Sequence, residues 1–144
     1  YKDKVSTYIS SSQEISEIAK QLIYEVDRRL EKDLYSDWLI MMPTIKAIVD
    51  QGLTEKDLRY LFDNGPRVGM HFVIGSEYSY LGNNINEVPK YLKGNAQWFM
   101  IGMRLMDQMS LDKPYNNREA RLASDEIYLH DRKQAIKLKI TKNG

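Results

Sequence analysis

Three short, unbroken apolar runs constrain this chain more than any other feature: Trp38-Leu39-Ile40-Met41-Met42, His71-Phe72-Val73-Ile74-Gly75 and Gln97-Trp98-Phe99-Met100-Ile101. Each has the length of a strand, and each is apolar at consecutive positions. Strands of that kind are buried on both faces, as in a parallel sheet covered by helices. Pro43 stops the first run. Proline lacks the N–H that a strand interior must donate.

The segments around these runs are helical in period. Ile15, Ile18, Leu22, Val26 and Leu30 recur at spacings of three and four, which predicts one long helix ending near Glu31 or Lys32. Ser11 and Glu14 have capping-box spacing. Glu14 and Glu17 near the start, and Arg28, Arg29 and Lys32 near the end, complement the helix dipole. Ile45 to Val49 predicts a short helix closed by Gly52. Thr54 is a good N-cap for a helix whose inner face is Leu58, Leu61 and Phe62, ended by Gly65 and Pro66. Pro89 to Leu92 reads as a helical turn.

Val5 to Ile9 reads as a further short strand. Ser76 to Asn86 reads as a polar loop, and Asp107 to Ser124 as mostly irregular. At the carboxyl end, Glu126–Leu129 and Ala135–Thr141 read as paired strands about a turn at Asp131-Arg132-Lys133. There Ile136, Leu138 and Ile140 alternate with Lys137 and Lys139, the mark of a half-exposed antiparallel strand. Strand and helix alternate along the chain, so the expectation is an α/β sandwich with a largely parallel sheet and a C-terminal antiparallel hairpin. With 144 residues and neither repeat nor linker, one domain over 1–144 is the economical expectation.

Composition narrows the chemistry. Lys and Arg number 21 against 20 Asp and Glu, a balance that makes no electrostatic case for nucleic acid or an anionic membrane. There is no Cys, which removes disulfides, thiolate metal sites and Cys nucleophiles. No apolar run approaches the roughly 18 residues of a membrane span. The chain opens on Tyr1 rather than Met, and the expectation is a segment of a longer polypeptide.

Specific motifs are few. No Gly-Lys pair occurs, so the phosphate loop G-x-x-x-x-G-K-[ST] is not in this chain. His71 and His130 are the only histidines, and neither has a second His at helical spacing, so no metal site is expected. No G-x-S-x-G elbow is present. Lys133, Lys137, Lys139 and Lys142 form a basic stripe that fits a lysine-protected edge strand better than a nucleic-acid surface. Tyr78 and Tyr80, flanked by Glu77 and Gly82, follow a buried strand. Ligands of open α/β sheets bind beyond strand carboxyl ends. Two readings of Glu77 to Asn84 stand side by side: a binding loop, or tyrosines that cover a sheet edge.

Several segments, in order, resemble the FtsK/SpoIIIE family of ATPases. Glu25-Val26-Asp27-Arg28-Arg29-Leu30 resembles that family's E-M-x-x-R-Y helix signature. Trp38 to Thr44 sits where the family has its Walker B strand. Gly65-Pro66-Arg67-Val68-Gly69-Met70-His71-Phe72-Val73-Ile74-Gly75-Ser76-Glu77 resembles G-R-A-x-G-I-H-L-I-L-A-T-Q, and the tail from Ala123 through Ile140 resembles the closing strands. Within the family, Gly75 to Gly82 and Ile101-Gly102-Met103-Arg104-Leu105-Met106-Asp107-Gln108 are most similar to the last of the tandem ATPase domains of type VII secretion ATPases, the EssC/YukB form.

The resemblance implies a RecA-like three-layer sandwich whose P-loop part lies upstream. It implies a parent anchored at the cytoplasmic side of the cell membrane, assembled as a hexamer and using ATP and Mg²⁺. The implied partners are other ATPase domains and secreted helical-hairpin WXG-type proteins; nucleic acid is not expected. Active members end the Walker B strand in Asp-Glu, which hold Mg²⁺ and activate water. Here Pro43 and Thr44 stand at those positions, and Glu77 replaces the polar Gln after the next strand. The resemblance therefore implies a degenerate domain without a catalytic residue or bound cofactor in this segment, with Glu77, Tyr78, Tyr80 and Arg104 as candidates for partner contact. An active ATPase whose catalytic groups come from elsewhere, or a DNA-translocating module, are the alternatives.

Overall fold

The computed structural model describes residues 12–32, 36–83, 85–108, 111 and 118–141. The strand expected at Val5 to Ile9, the cap at Ser11 and the last lysine of the stripe, Lys142, lie outside the described residues. The chain divides into two compact units, Tyr1–Glu77 and Tyr78–Gly144.

The first unit contains α1 (Ser12–Leu30), β1 (Trp38–Met42), α2 (Ile45–Asp50), α3 (Glu55–Asn64), a 3-10 turn (Gly65–Val68) and β2 (Met70–Ile74). β1 and β2 pair in parallel, in a register that runs from Trp38 opposite Met70 to Met42 opposite Ile74. Thr54 caps α3 as the sequence predicts. Its hydroxyl accepts from the Asp57 N–H, and the Asp57 carboxylate accepts from the Thr54 N–H. Gly52 turns the chain between α2 and α3 at φ 101°, a conformation that a side chain would oppose.

The core of this unit is Val26, Leu61, Val68 and Met70, with Leu22, Ile23, Ile40, Tyr60, Phe62 and Phe72 packed around it. The edge-to-face pair of Phe62 and Phe72, 5.0 Å between centroids, joins α3 to β2. The apolar stripe of α1 holds as far as Val26, but Leu30 is half exposed. The buried side chain in the last turn is Arg29. Its Nε donates to Glu25 Oε1 at 2.7 Å, and one terminal nitrogen donates to the carbonyls of Ser36 (2.8 Å) and Val68 (3.0 Å). The guanidinium lies 4.2 Å from the centre of the Trp38 ring. Arg29 thus does more than complement the helix dipole: it fastens α1 to the lead-in of β1 and to the turn before β2.

The second unit contains α4 (Tyr78–Leu81), α5 (Glu87–Asn95), β3 (Phe99–Ile101), a 3-10 turn (Leu105–Asp107), β4 (Glu126–His130) and β5 (Ala135–Lys139). The C-terminal hairpin is antiparallel as expected, with Ile127 opposite Leu138 and Leu129 opposite Ile136. Its turn uses Asp131, whose carboxylate accepts from the N–H groups of Lys133 and Gln134, and Arg132 in the left-handed region at φ 74°. α5 buries Val88, Pro89, Tyr91 and Leu92.

Two expectations are corrected here. The third apolar run pairs antiparallel with β4, Met100 opposite Leu129, rather than joining the parallel pair. An apolar run encodes burial but not the direction of its neighbour. The runs are also less buried than their composition implies: Leu39, Met41, Trp98 and Met100 are exposed in this chain.

The Arg29 brace should dominate the stability of the first unit. Arg29→Leu leaves the Ser36 and Val68 carbonyls without this donor and Glu25 with Arg28 as its remaining partner, a cost of about 3 kcal/mol. Arg29→Lys should lose about 2 kcal/mol, because one ammonium cannot serve both carbonyls and the ring. Urea denaturation of both variants measures this, and a Lys variant as stable as the parent would contradict the brace.

Acid should test the same cluster. Hydrogen bonding from Arg28 (2.6 and 2.7 Å), opposed by burial and aided by Arg29, lowers the Glu25 pKa to about 2. A carboxyl depressed in the fold contributes stability that is complete above its unfolded pKa, roughly 4.3, and is lost as pH falls toward the folded value. Stability should therefore decline between about pH 4.5 and pH 2, and Glu25→Gln should flatten that part of the profile. An unchanged slope in the variant would show that other carboxylates carry it.

Candidate functional site

The carboxyl ends of β1 and β2 are bound to each other. Beyond the last paired residues, the Gly75 N–H donates to the Met42 carbonyl at 2.7 Å, and the Ile45 N–H donates to the Gly75 carbonyl at 3.0 Å. The approach is close enough that a Cβ on Gly75 would lie 2.0 Å from the Pro43 carbonyl oxygen. Only glycine fits there.

This pairing sets Pro43 and Thr44 beside Gly75, with Ser76 and Glu77 next along the chain. Pro43, Thr44 and Glu77 are exposed, and Ser76 is half buried. Thr44 precedes α2 in an extended conformation, and its hydroxyl makes no capping bond. The Ser76 hydroxyl donates to the Glu77 carbonyl at 3.2 Å. Among these four residues the polar side chains are thus two hydroxyls and a single carboxylate. Neither hydroxyl is a base of useful strength at neutral pH. Among the described residues, no group of three or more His, Cys, Asp or Glu side chains could hold a metal ion.

The other candidates belong to the second unit. Tyr78 and Tyr80 are not in an irregular loop but on α4, where the Gly82 N–H closes on the Tyr78 carbonyl at 2.8 Å. Two residues apart on a helix, the tyrosines diverge by about 200°, so they do not form one surface as they would in an extended loop. Both are half buried.

Arg104 faces Asp107 in a two-point pair, Nε to Oδ2 at 2.7 Å and a terminal nitrogen to Oδ1 at 2.9 Å. That contact raises the Arg104 pKa and neutralises its charge locally. The turn behind it is held by Glu119, whose two carboxylate oxygens accept from the N–H groups of Leu105 (2.7 Å) and Met106 (2.9 Å). Burial works to raise the Glu119 pKa. The two amides, the Tyr128 hydroxyl and the nearby Arg104 outweigh it and hold the carboxyl below its ordinary value. Gln108 is buried and exchanges two hydrogen bonds with the backbone of Leu111.

Sequence reasoning missed Glu119 and Gln108. Both lie in a stretch without periodicity, and no local spacing marks a carboxylate that reaches back 14 residues. The histidines have ordinary roles: His71 is exposed, and buried His130 accepts through Nδ1 from the Arg132 N–H at 2.8 Å. Two lysines of the basic stripe are paired, Lys137 with Glu126 (2.8 Å) and Lys139 with Asp125 (3.4 Å).

No protein-family model and no curated protein matches the sequence. Solved structures do match. EssC (ATPases 2 and 3) from Geobacillus thermodenitrificans superimposes with a TM-score of 0.80 over 94% of this chain, at 10% identity. The cytoplasmic domain of EssC gives a TM-score of 0.64 over 94% of the chain, at 12% identity. The chain spans only 27% and 29% of those two proteins. At such identity the likeness shows the fold: a mixed α/β arrangement with parallel and antiparallel sheets, matching that of an EssC ATPase domain. The described helices include none long and apolar enough to cross a membrane.

The Glu119 clamp is directly testable. Glu119→Gln keeps one carbonyl acceptor but loses the charge and the second oxygen. The Leu105 and Met106 amides should then exchange with solvent about tenfold faster, the loss of roughly one charge-assisted hydrogen bond. Because the carboxyl is depressed in the fold, protection in the parent should fall below about pH 4.3 and stay flat in the variant. Unchanged exchange in Glu119→Gln would remove Glu119 from this role.

Proposed function

We propose that this chain is the later part of a non-catalytic, ATPase-like domain of a secretion ATPase, and that it engages secreted proteins or neighbouring ATPase domains instead of hydrolysing ATP. One observation carries this reading: the carboxyl end of β1 presents Pro43 and Thr44, tied to Gly75, where the resembling family places Asp and Glu. Proline has no side-chain ligand for Mg²⁺, and a neutral threonine hydroxyl cannot take a proton from water at useful rates. Glu77, the one carboxylate that follows β2, would repel a triphosphate instead of holding it through a metal.

The likeness to EssC supports the secretion context, as do the segments that resemble the FtsK/SpoIIIE family. On this proposal the parent sits at the cytoplasmic side of the membrane, anchored by parts outside this chain, and works as a ring of six with its ATP and Mg²⁺ held by other domains. The partners are small helical-hairpin proteins of the WXG type and adjoining ATPase domains. Glu77, Tyr78, Tyr80 and Arg104 are the residues proposed to touch them. Nucleic acid is not among the partners, since Lys137 and Lys139 already have carboxylate partners and the net charge is only +1.

The test is Mg-ATP turnover by a protein extended upstream to the whole domain. Loss of a catalytic carboxylate typically lowers the rate by about 10²- to 10⁴-fold, and with both positions replaced the expectation is no turnover above background. Turnover that disappears when an upstream phosphate-loop Lys is changed would overturn the proposal and make this an active motor domain.

A further inference from the structure

We draw no further inference here: the strongest candidate, the exposed apolar face of the three-stranded sheet with Trp98, Met100, Ile136 and Leu138, carries no proposal because nothing in the structure shows what covers it.

Discussion

The Arg29 guanidinium is the contact on which the first unit depends. It is a charge taken out of water, and such a group is tolerable only when nearly all of its donors are used. Here a carboxylate, two main-chain carbonyls and the Trp38 ring surround it. Those partners lie on α1, on the segment before β1 and on the turn before β2. One side chain therefore brings the starts of both parallel strands to the same level, where the Trp38 N–H also meets the Gly69 carbonyl at 2.8 Å. Glu25 completes the cluster by holding Arg29 and Arg28 together.

With the amino ends of β1 and β2 fixed there, the carboxyl ends are fixed by Gly75. A slip of one residue would turn each strand's side chains to the opposite face. It would also drive a side chain into the backbone of Pro43, since only the glycine leaves room. The two constraints, one at each end of β2, determine which residues leave the pair at the end where α/β proteins bind ligands. Those residues are Pro43, Thr44, Ser76 and Glu77. On the proposed reading, the loss of catalytic chemistry is thus a matter of residue identity at well-determined positions.

Much of this was legible in the sequence where one local rule governs. Thr54 and Asp57 form the capping box of α3, the run Trp38 to Met42 is a strand ended by Pro43, and the Asp131 turn joins β4 to β5. What escaped depends on distant partners. Arg29 sits one position from an apolar residue of the α1 stripe, and nothing in its neighbourhood announces carbonyls 7 and 39 residues away. The antiparallel pairing of β3 follows from the position of β4, not from the apolar run itself. Tyr78 and Tyr80 alternate as loop or strand residues do, yet they lie on the short helix α4, where they diverge. The candidate site divides in the same way: the exit of β1 followed from its strand, whereas the Arg104 turn depends on Glu119.

Fold alone does not fix activity; what the exit of β1 can hold does. The most direct measurement is the affinity of the whole domain for a fluorescent ATP analogue, with and without Mg²⁺. A site with no carboxylate at Pro43 and Thr44 should bind the nucleotide, if at all, with an affinity that Mg²⁺ changes by less than about threefold. A Mg²⁺-dependent gain of about tenfold or more, roughly 1.4 kcal/mol, that survives Glu77→Gln would contradict the account, because it would require a metal-holding group that the strand exit does not have.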